Sequence, residues 1–137
     1  MTREFDAPVE LVQRAHTDKD LFTRWIGPAG TTVTIDYWDA RTGGSWRYVD
    51  DSGNAFHGCF HAVEPGRLVQ TFTWEGLPEA VSLETMVLTD LGNGRTRLVA
   101  QSLLDSFEGR DGMLASGMAE GVEDGYAKLD GLLAELA

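Results

Sequence analysis

Glu84 is the residue whose type and position bear most directly on chemistry. It sits mid-way along a stretch that alternates in polarity, in register with Ser82, Met86 and Leu88. If that face turns inward, a carboxylate stands in an apolar pocket. There its pKa rises and it can act as an acid, a base or a polar anchor. If the face turns outward, Glu84 is only solvated. Gln101 is a similar, weaker candidate. His57, Cys59 and His61 alternate on one strand face and invite a metal or Cys–His reading. Geometry argues against it: strand neighbours at i, i+2 are ~6.6 Å apart, and His57 to His61 spans ~13 Å. His57 alone, beside Gly58, stays a weak candidate for acid–base or pocket work. Asp39 and Arg41 flank Gly43-Gly44 and read as a structural ion pair or a turn device, not as catalytic residues. No P-loop, GxSxG, HExxH or dinucleotide glycine pattern is present, so no metal and no cofactor is implied.

The aromatic residues raise a different possibility. Trp25, Trp38, Trp46, Trp74, Tyr37, Tyr48, Phe56, Phe60, Phe72 and Tyr126 are many for a chain of 137 residues. Either they line a cavity for an apolar or ring-bearing ligand, or they fill an ordinary core. Alternation puts Trp46 with Tyr48, Phe56 with Phe60, and Phe72 with Trp74, each pair on one strand face. Met86, Met113 and Met118 are adaptable apolar residues, suited to a permissive pocket or to plain core filling. Gly117, Gly121 and Gly125 form one stripe at helical spacing, and each costs ~1 kcal/mol against Ala in a helix interior. The stripe thins a helix face to leave cavity volume, or lets the helix pack closely on a neighbour. The candidate ligand-binding set is therefore Trp25, Trp46, Tyr48, Phe56, Phe60, Phe72, Trp74, Glu84, Met86, Met113, Gly117, Met118 and Gly121.

These residues need elements to position them. Residues 2–5 read as a short strand. Asp6-Ala7-Pro8 reads as a helix start with Asp6 as cap. Thr17 and Asp20 frame a second short helix as a capping box. From residue 31 the period becomes two, and strands are expected over 31–38, 45–49, 55–63, 67–74, 81–91 and 96–103. Asn93-Gly94 is the strongest hairpin signal. Leu114, Met118, Val122, Leu129, Leu132, Leu133 and Leu136 recur near 3.6, so one helix is expected from about Asp111 to about Glu135, ~37 Å long at ~1.5 Å per residue. Strands segregated from helices mean α+β: a curved antiparallel sheet of six or seven strands around one long C-terminal helix. The acidic segment 105–111 before that helix stabilises its N-terminus or forms a lid.

Composition narrows the functions. The chain carries 22 acidic and 11 basic side chains, a net charge of -11. That balance excludes a nucleic-acid binder and an anionic membrane surface. A single cysteine, Cys59, allows no internal disulfide. With no secretory leader in MTREFDAP and no membrane-length apolar run, the expectation is a cytoplasmic protein of one domain, residues 1–137.

Taken in order, Arg3-Glu4-Phe5-Asp6-Ala7-Pro8, Thr17-Asp18 with Trp25-Ile26-Gly27-Pro28, Asp39-Ala40-Arg41-Thr42-Gly43-Gly44-Ser45-Trp46-Arg47, Phe56-His57-Gly58, Pro65-Gly66-Arg67-Leu68-Val69 and Gly125-Tyr126-Ala127-Lys128-Leu129-Asp130 carry a resemblance. The chain resembles the SRPBCC superfamily (START-like, Bet v 1-like). Within it, it is similar to the bacterial family related to the C-terminal domain of the Hsp90 ATPase activator. The resemblance covers nearly the whole chain and implies a helix-grip fold. It implies several functions, since that scaffold hosts ligand binding, cyclase-type chemistry, transport and chaperone activation. Two departures stand out: the chain begins inside the first strand, and Trp25-Ile26 stands where many relatives have two tryptophans.

Three functions follow as expectations. The first is a protein that binds a small hydrophobic or aromatic molecule between sheet and C-terminal helix. The second is a cyclase-, dehydratase- or hydrolase-like enzyme using Glu84 or His57. The third, an Hsp90-type chaperone co-factor, is the least favoured because it rests on the family name alone. Apolar residues on the outer sheet face leave a homodimer open.

Overall fold

The computed structural model describes residues 1–116 and 118–136, without the side chain of Met118. A short strand β1 (Thr2–Phe5) leads into α1 (Val9–Thr17) and α2 (Lys19–Phe22). Six strands follow: β2 (Val33–Trp38), β3 (Ser45–Asp50), β4 (Ala55–Glu64), β5 (Arg67–Trp74), β6 (Ser82–Gly92) and β7 (Arg95–Leu103). Two helices, α3 (Phe107–Ala115) and α4 (Met118–Leu136), close the chain.

The strands form one antiparallel sheet in the order β1-β7-β6-β5-β4-β3-β2. Hairpins join β2 to β7 in sequence, while β1 crosses back to the β7 edge. Asn93 and Gly94 both take positive φ, 56° and 72°, which the right-handed twist of a two-residue hairpin requires. Bulges interrupt β2–β3, β4–β5 and β6–β7, and they curl the sheet. Gly58 lets β4 approach closely: a Cβ there would lie 2.0 Å from the Thr71 carbonyl oxygen and 2.7 Å from the Trp46 ring.

The C-terminal half of α4 and α1 pack into the closed end of the curl. Phe5, Val12, Ala15, Leu98, Leu129 and Leu133 are fully buried there. Arg3 ties β1 to α4 through Glu123 (2.8 Å) and Asp130 (2.7 Å).

Three local expectations are corrected. Thr17 ends α1 and donates its hydroxyl to Gln13. Asp18 caps α2 instead, accepting from the backbone of Asp20 (2.9 Å) and Leu21 (3.2 Å). Pro8, not Asp6, is the N-cap of α1, with no side-chain cap bond. The single long helix is two. Ser106 caps α3 by accepting from the Gly109 N–H at 2.9 Å, and Ser116 ends it by donating its hydroxyl to the Met113 carbonyl at 2.6 Å. A serine that bonds backbone locally competes with helix continuation. The apolar period survives the break because Leu114 and Val122 face a cavity. Their 64% and 40% exposure is contact with open space, not with core.

Candidate functional site

The open end of the curl holds a cavity of about 500 Å³ between the inner sheet face and the helices. Strands β3, β5, β6 and β7 supply most of the sheet side of the wall. Trp46 and Tyr48 come from β3, Leu68, Gln70 and Phe72 from β5, Glu84 and Met86 from β6, and Ala100 and Ser102 from β7. The helices and the turn after α2 add His16, Phe22, Trp25, Met113, Leu114, Val122 and Tyr126. Much of this wall is one aromatic network. Trp25 stacks on Tyr126 (5.4 Å, 20°) and Trp46 on Tyr48 (5.4 Å, 17°), with Phe22, Trp38 and Phe72 filling between. Aromatic contacts of this kind hold rings rigid, so the wall is preformed.

The polar atoms on the wall are few. Glu84 accepts from the Ser82 hydroxyl at 3.0 Å and from the Ser102 hydroxyl. Ser102 reaches it because β6 and β7 pair Glu84 with Ser102. Burial, aided by the Glu84 charge, pushes the Tyr126 hydroxyl up to about 12, so it stays protonated. Burial likewise raises Tyr48 above its ordinary value. Burial lowers His16 to about 4, against the opposing hydrogen bond to Val12, so its ring is neutral. The His16 Nδ1–H donates to the Val12 carbonyl at 2.7 Å, which leaves Nε2 as a lone-pair acceptor. Among the described residues, two buried side-chain atoms have no hydrogen-bond partner: His16 Nε2 and the Trp46 Nε1–H. The indoles of Trp25 and Trp38 are satisfied, donating to Ala15 (2.9 Å) and Thr17 (2.7 Å).

Of the residues singled out in the sequence, the fold brings Trp25, Trp46, Tyr48, Phe72, Glu84, Met86 and Met113 onto this wall. Phe56 and Phe60 pack behind it, Phe56 against Tyr48 and Phe72, Phe60 against Trp38. Trp74 shares the alternation of Phe72 but lies at the strand end, 46% exposed, with its ring over Gly76. Gly121 and Gly125 pack against the turn after α2. A Cβ on Gly121 would meet Pro28 at 3.4 Å, and one on Gly125 the Trp25 carbonyl at 3.2 Å. They serve close packing, not cavity volume. Gly117 and the Met118 side chain lie outside the described residues.

His57 is corrected most fully. It stands on the outer face, with Nδ1 2.9 Å from Glu75, which Arg47 also grips at 2.8 Å. Arg47, then His57, draws the Glu75 carboxyl down to about 2. Gln101, exposed, alternates away from the cavity between Ala100 and Ser102. Asp39 and Arg41 pair at 2.8 Å across their turn. Sequence reasoning missed His16. Its signal was present: it follows Val12 by four residues, a polar side chain on the apolar face of α1. Trp38 and Tyr126 were counted as aromatics but left out of the ligand set.

A curled antiparallel sheet gripping a C-terminal helix, open at one end, defines the helix-grip architecture of SRPBCC-like proteins. The chain belongs to the family described as Activator of Hsp90 ATPase homolog 1-like protein, whose model matches residues 6–134. It is similar to a crystal structure from Rhodobacter sphaeroides, 28% identical, covering 100% of this chain and 92% of that one, with a TM-score of 0.88. A solution structure from Arthrobacter aurescens is 28% identical, covering 98% of this chain and 84% of that one, at 0.88. Protein Ms6760 from Mycobacterium smegmatis is 26% identical, covering 96% and 87%, at 0.85. Comparison with curated proteins gives no match. Among the described residues, no helix is long and apolar enough to cross a membrane.

Proposed function

We propose that this protein binds a small apolar, ring-bearing molecule in the cavity between the sheet and its C-terminal helices. The observation that carries this reading is the wall itself: a preformed aromatic surface around about 500 Å³, which matches the size and lining of small-molecule sites. Family membership supports it, since this fold commonly hosts hydrophobic ligands. The enzyme reading retains Glu84, which faces the cavity, and loses His57, which does not.

The test is a fluorescence titration with N-phenylnaphthylamine, a neutral aromatic probe that brightens in apolar sites. Saturable binding in the micromolar range is expected. Ala119→Trp places a ring in the mouth at an exposed position of α4 and is expected to weaken it at least about tenfold. No saturable binding by the wild type, or equal affinity in the variant, overturns the reading.

A further inference from the structure

The strongest acceptor on the wall is a carboxylate. Both Glu84 oxygens hold one serine hydroxyl each and can accept again. The protonated hydroxyls of Tyr48 and Tyr126, which also line the cavity, can donate or accept. Gln70, directly opposite Glu84 on β5, can play either part.

The charges are lopsided. Among the described residues, the lining holds the carboxylates of Glu84 and Glu123 and no Lys or Arg side chain. Arg3 is spent on Glu123 and Asp130. Met1 lines the cavity too, and its ammonium donates to the Ala100 carbonyl at 2.8 Å. Among the described residues, the groups hydrogen-bonded to Glu84 are two serine hydroxyls. A carboxylate among aromatic rings, with no cation of its own, attracts a cation and repels an anion. Aromatic faces favour the same sign of charge. The chain's net charge of -11 adds a long-range field that draws cations in.

From these observations we infer that the cavity is selective for a cationic amine carried on an apolar ring system, with Glu84 as its anchor, and excludes carboxylates. This rests on the cavity-binding reading above and names the ligand class for that site.

The test compares three ligands with one skeleton, naphthylethylamine, naphthylethanol and naphthylacetic acid, by calorimetry at neutral pH. On the wild type the amine is expected to bind at least about tenfold more tightly than the acid, with the alcohol between. In Glu84→Gln the amine is expected to lose about tenfold, the alcohol to change less than about threefold, and the acid to gain. Thermal unfolding and N-phenylnaphthylamine binding report whether Glu84→Gln is folded. Glu84→Asn is the second variant if it is not. An acid that binds as well as the amine, an amine unaffected by loss of the charge, or failure of all three to bind overturns the inference. If N-phenylnaphthylamine still saturates the wild type, cavity binding stands and only the amine selectivity falls. If it does not, both fall.

Discussion

Glu75, in the turn just past β5, and Glu84, on β6, are carboxylates on opposite sides of one sheet, and their surroundings divide structural from functional charge. Glu75, outside, is held by Arg47 at 2.8 Å and His57 at 2.9 Å. Its hydrogen-bonding capacity is spent on the protein, and solvent screens what remains. Glu84, inside, has two hydroxyls and aromatic neighbours. The same division separates two histidines. His57 pairs with Glu75, whereas His16 is buried and its Nε2 has no partner among the described residues. A titratable group whose partners come from the protein is finished. One that lacks them in an apolar cavity is available to a ligand.

Gly58 couples the two faces, so its loss has the largest expected effect. Gly58→Ala forces a Cβ into the Thr71 carbonyl and the Trp46 ring, and a cost of about 3 kcal/mol or more is expected in thermal unfolding. An unchanged melting temperature removes the claim that close approach of β4 and β5 holds the wall.

Burial of His16 ties stability to acid. His16 has an ordinary pKa of 6.5 in the unfolded chain and about 4 when folded. The unfolded chain therefore takes up a proton that the folded one refuses. The stability concerned is intact above pH 6.5 and is lost as the pH falls from 6.5 towards 4, about 3 kcal/mol in all. Against the wild type, His16→Gln is expected to flatten unfolding curves across that window. An unchanged pH dependence in the variant removes the claim that burial keeps His16 neutral.

The smallest effect sharpens the comparison of the carboxylates directly. Glu84→Met removes a carboxylate that no cation among the described residues pairs with, at the loss of two serine hydrogen bonds, and is expected to raise unliganded stability by about 1 kcal/mol. Glu75→Met strands Arg47 and His57 and is expected to lower the melting temperature. Equal signs in thermal unfolding show that the two sites are alike after all.

Much of the fold was legible in residue order. The alternation in 45–49 and 67–74 marked strands, and Asn93-Gly94 marked a hairpin, because both signals are local: side-chain period and allowed φ. The split between α3 and α4 was not. Leu114 and Val122 continue an apolar period across it, and a period does not say whether a face meets core or cavity.

The residues alone determined an acidic, aromatic-rich α+β chain with a carboxylate at position 84, between Ser82 and Met86 on one strand face. Only the tertiary structure decided what surrounds it. A two-residue loop pairing Gly92 with Arg95 would by itself set Leu103 opposite Glu84. The bulge between Asp90 and Gly92 shifts the register by one and sets Ser102 there. The same curl turned Glu84 and His16 to one cavity and sent His57 to the outer face. Strand spacing dictates which side chains share a face. Which face is inside depends on the curvature of the whole sheet and on the helix it closes around.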